Sequence, residues 1–167
     1  MSDKQKSYQL KIEKTIQVNK SPKELYRFWK NLKNLPAIMS HLHSVEMIDS
    51  RHSHWVVDAP MGTQAEWTAE LVTDVQNEVI SWRSLEGADI ENAGTVRFNP
   101  TPAGGTDLTV QLAYNPPGGA VGAALVKLWG QDPAQKLEED LERFKHMMES
   151  GDEESDDVLQ KQAQVRH

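Results

Sequence analysis

The chain has 167 residues, 38% of them hydrophobic and 26% charged, with a net charge of −7. That length suits one domain with one real core, and the balance is that of an ordinary globular protein rather than a disordered or membrane chain. Cysteine is absent, which removes disulfides, thiolate metal sites and cysteine nucleophiles from consideration.

The charge is uneven. Residues 149–167 hold six acids (Glu149, Asp152, Glu153, Glu154, Asp156 and Asp157) against Lys161 and Arg166, and the remainder stands at −3, from 19 acids and 16 bases. The tail 150–167 therefore reads as a solvated acidic end beyond a single domain over 1–149. No basic stripe is interleaved with aromatics, so nucleic acid is not an expected partner. The opening "MSDKQKSYQLKIEK" has no apolar stretch behind its charges. No signal peptide is read there, and a cytoplasmic location is the default expectation.

Residues 8–18 alternate, with Ile12, Ile16 and Val18 on one face, which predicts a half-buried strand. At Ser21 the period changes. Ser21 is a good N-cap, Pro22 takes the first helical position, and Glu24 completes a capping box. Leu25, Phe28 and Trp29 form the buried stripe of this helix, and a second short helix is expected around Leu35–Ser40. "SVEMID" and "HWVVDA" flank a polar turn at Ser50–Ser53, a hairpin signal. Strand patterns continue to about residue 115. Ala65, Trp67, Ala69 and Leu71 share one face, as do Ile80 and Trp82, then Val96 and Phe98, then Leu108, Val110, Leu112 and Tyr114. Such one-sided strands predict an antiparallel sheet with one face covered. There is no βαβ alternation, which excludes a Rossmann-type nucleotide fold.

The stretch "YNPPGGAVGAALVKLWGQDP" (114–133) contains neither a phosphate loop nor a membrane span. Its glycines lack the spacing and the Lys-Ser/Thr of a phosphate loop. Its apolar run stops at Lys127, far short of about 20 residues. It reads instead as a helix from Ala120 to Trp129, with Val121, Ala124, Leu125 and Leu128 on one stripe. Asp132 and Pro133 then start a second helical segment carrying Leu137, Leu141, Phe144 and Met148 at helical spacing. Small residues facing large aromatics either pack solidly or leave a cavity, and periodicity does not choose between them.

The quoted motifs "SPKELYRFW", "NLPAIMSHLHSVE", "ISWRSLEG", "AGTVRFNPT", "GGTDLTVQLAYNPPGG" and "DPAQKLEEDLERFKHMME" together resemble the polyketide cyclase/dehydrase branch of the START and birch-pollen-allergen (SRPBCC) superfamily, over residues 8–149. The resemblance implies an α+β helix-grip fold. In that fold a bent antiparallel sheet of about seven strands surrounds a long C-terminal helix, with two short helices after the first strand. It also implies a pocket for an apolar or amphipathic molecule (lipid, quinone or polyketide-like) between sheet and helix. Trp67, Trp82, Phe98, Tyr114, Val121, Leu125 and Trp129 are the expected lining. The alternative is a cyclase or dehydratase acting on a polyketide-like substrate. No catalytic motif is matched, no cofactor is expected, and monomer and dimer stay equally open.

Polar candidates are few. His41 and His43, like His52 and His54, are spaced to share a strand face, and a hairpin at Ser50–Arg51 sets Asp58 opposite His43. A metal site needs a third ligand, and none is assigned. Arg83 and Arg97 alternate with Trp82 and Phe98, so solvent-facing positions are expected for both. Tyr114 is the one polar inward position. Asp58 and Glu66 are lone carboxylates, usually surface charges. Trp55, Trp67 and Trp82 share a strand-face pattern that suits an aromatic wall.

Overall fold

The computed structural model describes residues 8–39, 42–58, 62, 64–115 and 132–150. The predicted helix from Ala120 to Trp129 and the tail beyond Ser150 lie outside the described residues.

Strand β1 (Leu10–Val18) leads into helix α1 (Pro22–Lys30). The helix starts where its capping residues put it. Ser21 Oγ accepts from Glu24 N at 3.3 Å, and Glu24 Oε1 accepts from Ser21 N at 3.1 Å. Leu25 and Trp29 are buried beneath it. The second short helix comes earlier than the sequence suggested, as a 3₁₀ helix over Leu32–Ala37 rather than 35–40. Asn31 causes this. Its side-chain oxygen accepts from Lys33 N at 3.3 Å and starts a new turn directly after α1.

Six further strands follow: β2 (Leu42–Met47), β3 (His52–Asp58), β4 (Gln64–Val75), β5 (Val79–Ser84), β6 (Glu91–Pro100) and β7 (Thr106–Asn115). All pairings are antiparallel, in the order β1-β7-β6-β5-β4-β3-β2. The β2–β3 turn also sits earlier than expected, because Asp49 Oδ1 accepts from Arg51 N and His52 N at 2.8 Å each and lets β3 begin at His52. Register shifts fall between Leu42 and Ser44 and between Leu71 and Thr73. Each such bulge bends the sheet and strengthens its twist.

Helix α2 (Pro133–Ser150) lies along β1. Asp132 caps it, accepting from Gln135 N at 3.1 Å. Its inner stripe is Leu137, Asp140, Leu141 and Phe144. Phe144 is fully buried against Phe28 and Trp29, with ring centroids 5.0 and 5.6 Å away. Polar ties fix both sides of the helix. Lys145 Nζ donates to Gln17 O at 2.5 Å, Glu149 accepts from Asn19 N at 2.8 Å, and Arg143 Nη1 donates to Ile38 O at 2.6 Å. No described helix is long and apolar enough to cross a membrane.

Candidate ligand cavity

Strand register brings three indoles together. Trp55 on β3 stands directly opposite Trp67 on β4, and both point to the covered face. Their rings stack with centroids 5.9 Å apart and planes at 18°. Trp82 on β5 reaches the same ring, 5.7 Å from Trp55 at 24°. Offset stacking of this kind adds about 1 kcal/mol per pair beyond area burial.

Gly94 on β6 makes room for Trp82, its cross-strand partner. A Cβ at position 94 would stand 2.6 Å from Cζ2 and 2.8 Å from Cε2 of that indole. The ring therefore lies on bare backbone. Gly94→Ala is expected to displace Trp82 and cost about 1–3 kcal/mol, as overpacking does. A urea midpoint equal to wild type would show that the indole has another seat.

The indoles wall one side of a cavity of about 50 Å³, lined elsewhere, among the described residues, by Met39, Leu42, Ile90, Leu112 and the small Ala93 and Ala113. That space suits one or two waters at most. Asn92 and Tyr114 are the remaining members of the lining. Asn92 Nδ2 donates to Ile90 O at 2.8 Å. Burial pushes the Tyr114 phenol up to about 12, so at neutral pH it is a hydrogen-bond donor and not a base. Trp55 Nε1 donates to Ser53 Oγ at 2.8 Å, whereas the buried Nε1 of Trp67 has no partner. Two larger hollows have more polar rims. One, of about 590 Å³, includes Lys23, Glu78 and Arg97, and the other, of about 310 Å³, includes Lys11, Glu13 and Gln111.

Of the seven residues expected to line a pocket, Trp67, Trp82 and Tyr114 meet in this cavity. Phe98 is buried apart from it, edge-on to Tyr26 at 5.8 Å under α1. Val121, Leu125 and Trp129 lie outside the described residues. Six wall residues escaped the sequence reading: Met39, Leu42, Ile90, Asn92, Ala93 and Ala113. Met39 fell in the expected second helix, with no burial assigned to it, and Leu42 sits between the two histidines His41 and His43. Ile90 precedes β6, which starts three residues before the Gly94 where the alternation becomes visible.

The polar candidates spread over the solvent side. His43 Nδ1 is 3.1 Å from Asp58 Oδ2, the expected pair, and His54 Nε2 is 2.8 Å from Glu66. His41 lies outside the described residues. Among the described residues no three His, Cys, Asp or Glu side chains gather as a metal site would require. Arg83 pairs with Glu70 at 3.0 Å, and Arg97 is exposed. Among the described residues the one buried carboxylate is Asp140, 1% exposed, with Arg143 at 3.0 Å from its Oδ1. Burial outweighs that guanidinium and raises its pKa to about 6.

Seven antiparallel strands bent around a C-terminal helix, with short helices after the first strand, constitute the helix-grip fold of the START superfamily. The chain belongs to the family described as polyketide cyclase / dehydrase and lipid transport, which matches residues 18–142. It is similar to a Deinococcus radiodurans protein of known crystal structure, at 39% identity and a TM-score of 0.70, covering 86% of this chain and 99% of that one. An uncharacterized 17.2 kDa protein of Streptomyces lincolnensis is 28% identical over 147 residues, 87% of this chain and 93% of the relative. An aromatase/cyclase from Streptomyces sp. R1128 shares the fold at 16% identity and a TM-score of 0.62, covering 83% of this chain and 94% of its own.

Proposed function

We propose that the protein binds an apolar or amphipathic small molecule, of lipid, quinone or polyketide-like character, between the sheet and the C-terminal helix. The observation that carries this is the stack of Trp67, Trp55 and Trp82 facing an apolar void rather than a filled core. Flat aromatic walls with few polar groups favour planar or prenyl-like ligands. The family's description, which includes lipid transport, supports the same reading.

A cyclase or dehydratase ranks second. It would need at least two polar groups converging within about 3 Å of the reacting atoms. Among the described residues, Tyr114 and Asn92 are the only non-indole polar side chains on the cavity, and Asn92 already donates to Ile90 O.

Native mass spectrometry of freshly purified protein, followed by solvent extraction, tests the binding reading. A stoichiometric apolar molecule is the expected result. Protein that carries nothing and takes up no 1-anilinonaphthalene-8-sulfonate would overturn it. So would uptake left unchanged by Trp82→Ala.

A further inference from the structure

We infer that Trp82 fixes the length of the ligand: its indole is the partition between the cavity and a second, smaller hollow, and the bound molecule ends against it. This rests on the binding reading above and adds a specificity-determining residue to it.

Two voids meet at this side chain. The second measures about 40 Å³ and lies at the β2–β3 turn, among Met47, Ser53, Leu71 and Ile80, with the exposed Lys30 and Arg51 also on its lining. Trp82 is the one described residue that lines both spaces. Its neighbours divide accordingly. Trp55, against which it stacks, belongs to the cavity, and so does Ala93, next to the Gly94 that seats its ring. Leu71, its cross-strand partner on β4, and Ile80, two residues before it on β5, belong to the hollow. The side chain is thus bracketed by cavity residues on one flank and hollow residues on the other.

Both the partition and the space behind it are held in place. The stack with Trp55 and the seat on Gly94 oppose a swing of the indole. The turn that bounds the hollow is clasped to β4, since Arg51 O accepts from Leu71 N at 2.7 Å and Arg51 Nη2 donates to Leu71 O at 2.6 Å. Lys30 is anchored by its ion pair with Asp74. A smaller side chain at position 82 would therefore join the two spaces without moving the backbone, and an apolar chain lying in the cavity could run on toward the β2–β3 turn.

The test uses straight-chain alcohols from pentan-1-ol to decan-1-ol as probes, titrated by NMR into wild type, Trp82→Leu and Trp67→Leu. The two variants lose the same indole volume, but Trp67 lines the cavity and not the hollow. Each methylene taken into apolar space raises affinity about fourfold. In wild type this rise is expected to stop at a short chain. In Trp82→Leu it should continue for about one or two carbons further than in Trp67→Leu, which is the space the hollow supplies. Trp82→Phe against Trp67→Phe gives the same comparison where a leucine variant does not fold. An equal stopping length in the paired variants overturns the partition while leaving the cavity reading intact, and so does a wild type whose affinity rises all the way to decan-1-ol. Failure of every alcohol to bind wild type overturns both.

Discussion

Asp140→Asn is expected to stabilise the protein by up to about 3 kcal/mol at pH 8 and to change it little at pH 4. Asp140 occupies the inner stripe of α2 at 1% exposure. Its pKa rises from the ordinary 3.8 to about 6, burial acting against the charge and Arg143 only partly restoring it. That rise corresponds to about 3 kcal/mol disfavouring the carboxylate in the folded state. Between about pH 4 and 6 the folded chain holds this proton and the unfolded chain does not. Stability from this group is therefore complete below pH 4, declines as pH rises to about 6, and stays level above. Asparagine has the same shape and no charge to bury, so it removes the slope. Asp49, Asp58, Asp74 and Glu149 act oppositely. Hydrogen bonds from neighbours hold each below the usual carboxylate range, so their contributions are lost as pH falls through those lowered values. Urea unfolding of both proteins from pH 4 to 8 isolates Asp140 by difference. An asparagine variant less stable than wild type at pH 8 would mean that the ion pair with Arg143 outweighs the burial of charge.

The sheet was legible because its strands are half-buried, so that alternation at Ala65–Leu71, Ile80–Trp82 and Leu108–Tyr114 writes the covered face directly into the sequence. The start of α1 was legible for a different reason, since Ser21, Pro22 and Glu24 each act through local backbone chemistry. What escaped was set by neighbours in space. The bulge before Thr73 leaves Val72 48% exposed within an apolar-looking run. Asn31 shifts the 3₁₀ helix by a side-chain bond that its residue type permits but does not require. Asp140 looked like one more charge in "KLEEDLERFK", and only the packing of α2 shows it inside. The cavity was half legible. The tryptophans announce an aromatic wall, but Leu42 joins it through its pairing with Val57, Ile90 joins it from the turn before β6, and no pattern in the sequence marks Gly94 as the seat of Trp82.

Trp55→Ala is expected to produce the largest loss at the site, about 3–5 kcal/mol, with partial recovery on adding free indole. Trp55 is the middle ring of the stack, so its removal takes away both aromatic contacts, at 5.9 and 5.7 Å, and strips Ser53 Oγ of its donor. Ser53 is itself 2% exposed, which keeps water from replacing that donor without rearrangement. The loss is large against a total stability of about 5–15 kcal/mol for a domain of this kind. The space left joins the existing void beside Trp67 and Trp82. An apolar cavity of that shape stays dry and takes up a fitting hydrocarbon ring. Indole has the right outline, and its N–H can restore the bond to Ser53. Thermal unfolding of Trp55→Ala with and without millimolar indole reads this directly, with wild type expected to show no gain at the same concentration. A variant that loses stability without any recovery would mean that the wall collapses into the gap. The flanking indoles would then be held by Trp55 rather than by the sheet, and the stack would be a packed core with no standing surface to offer a ligand. Recovery would show the opposite: that β4, β5 and Gly94 keep Trp67 and Trp82 in position with the central ring gone, which is what a binding wall must do.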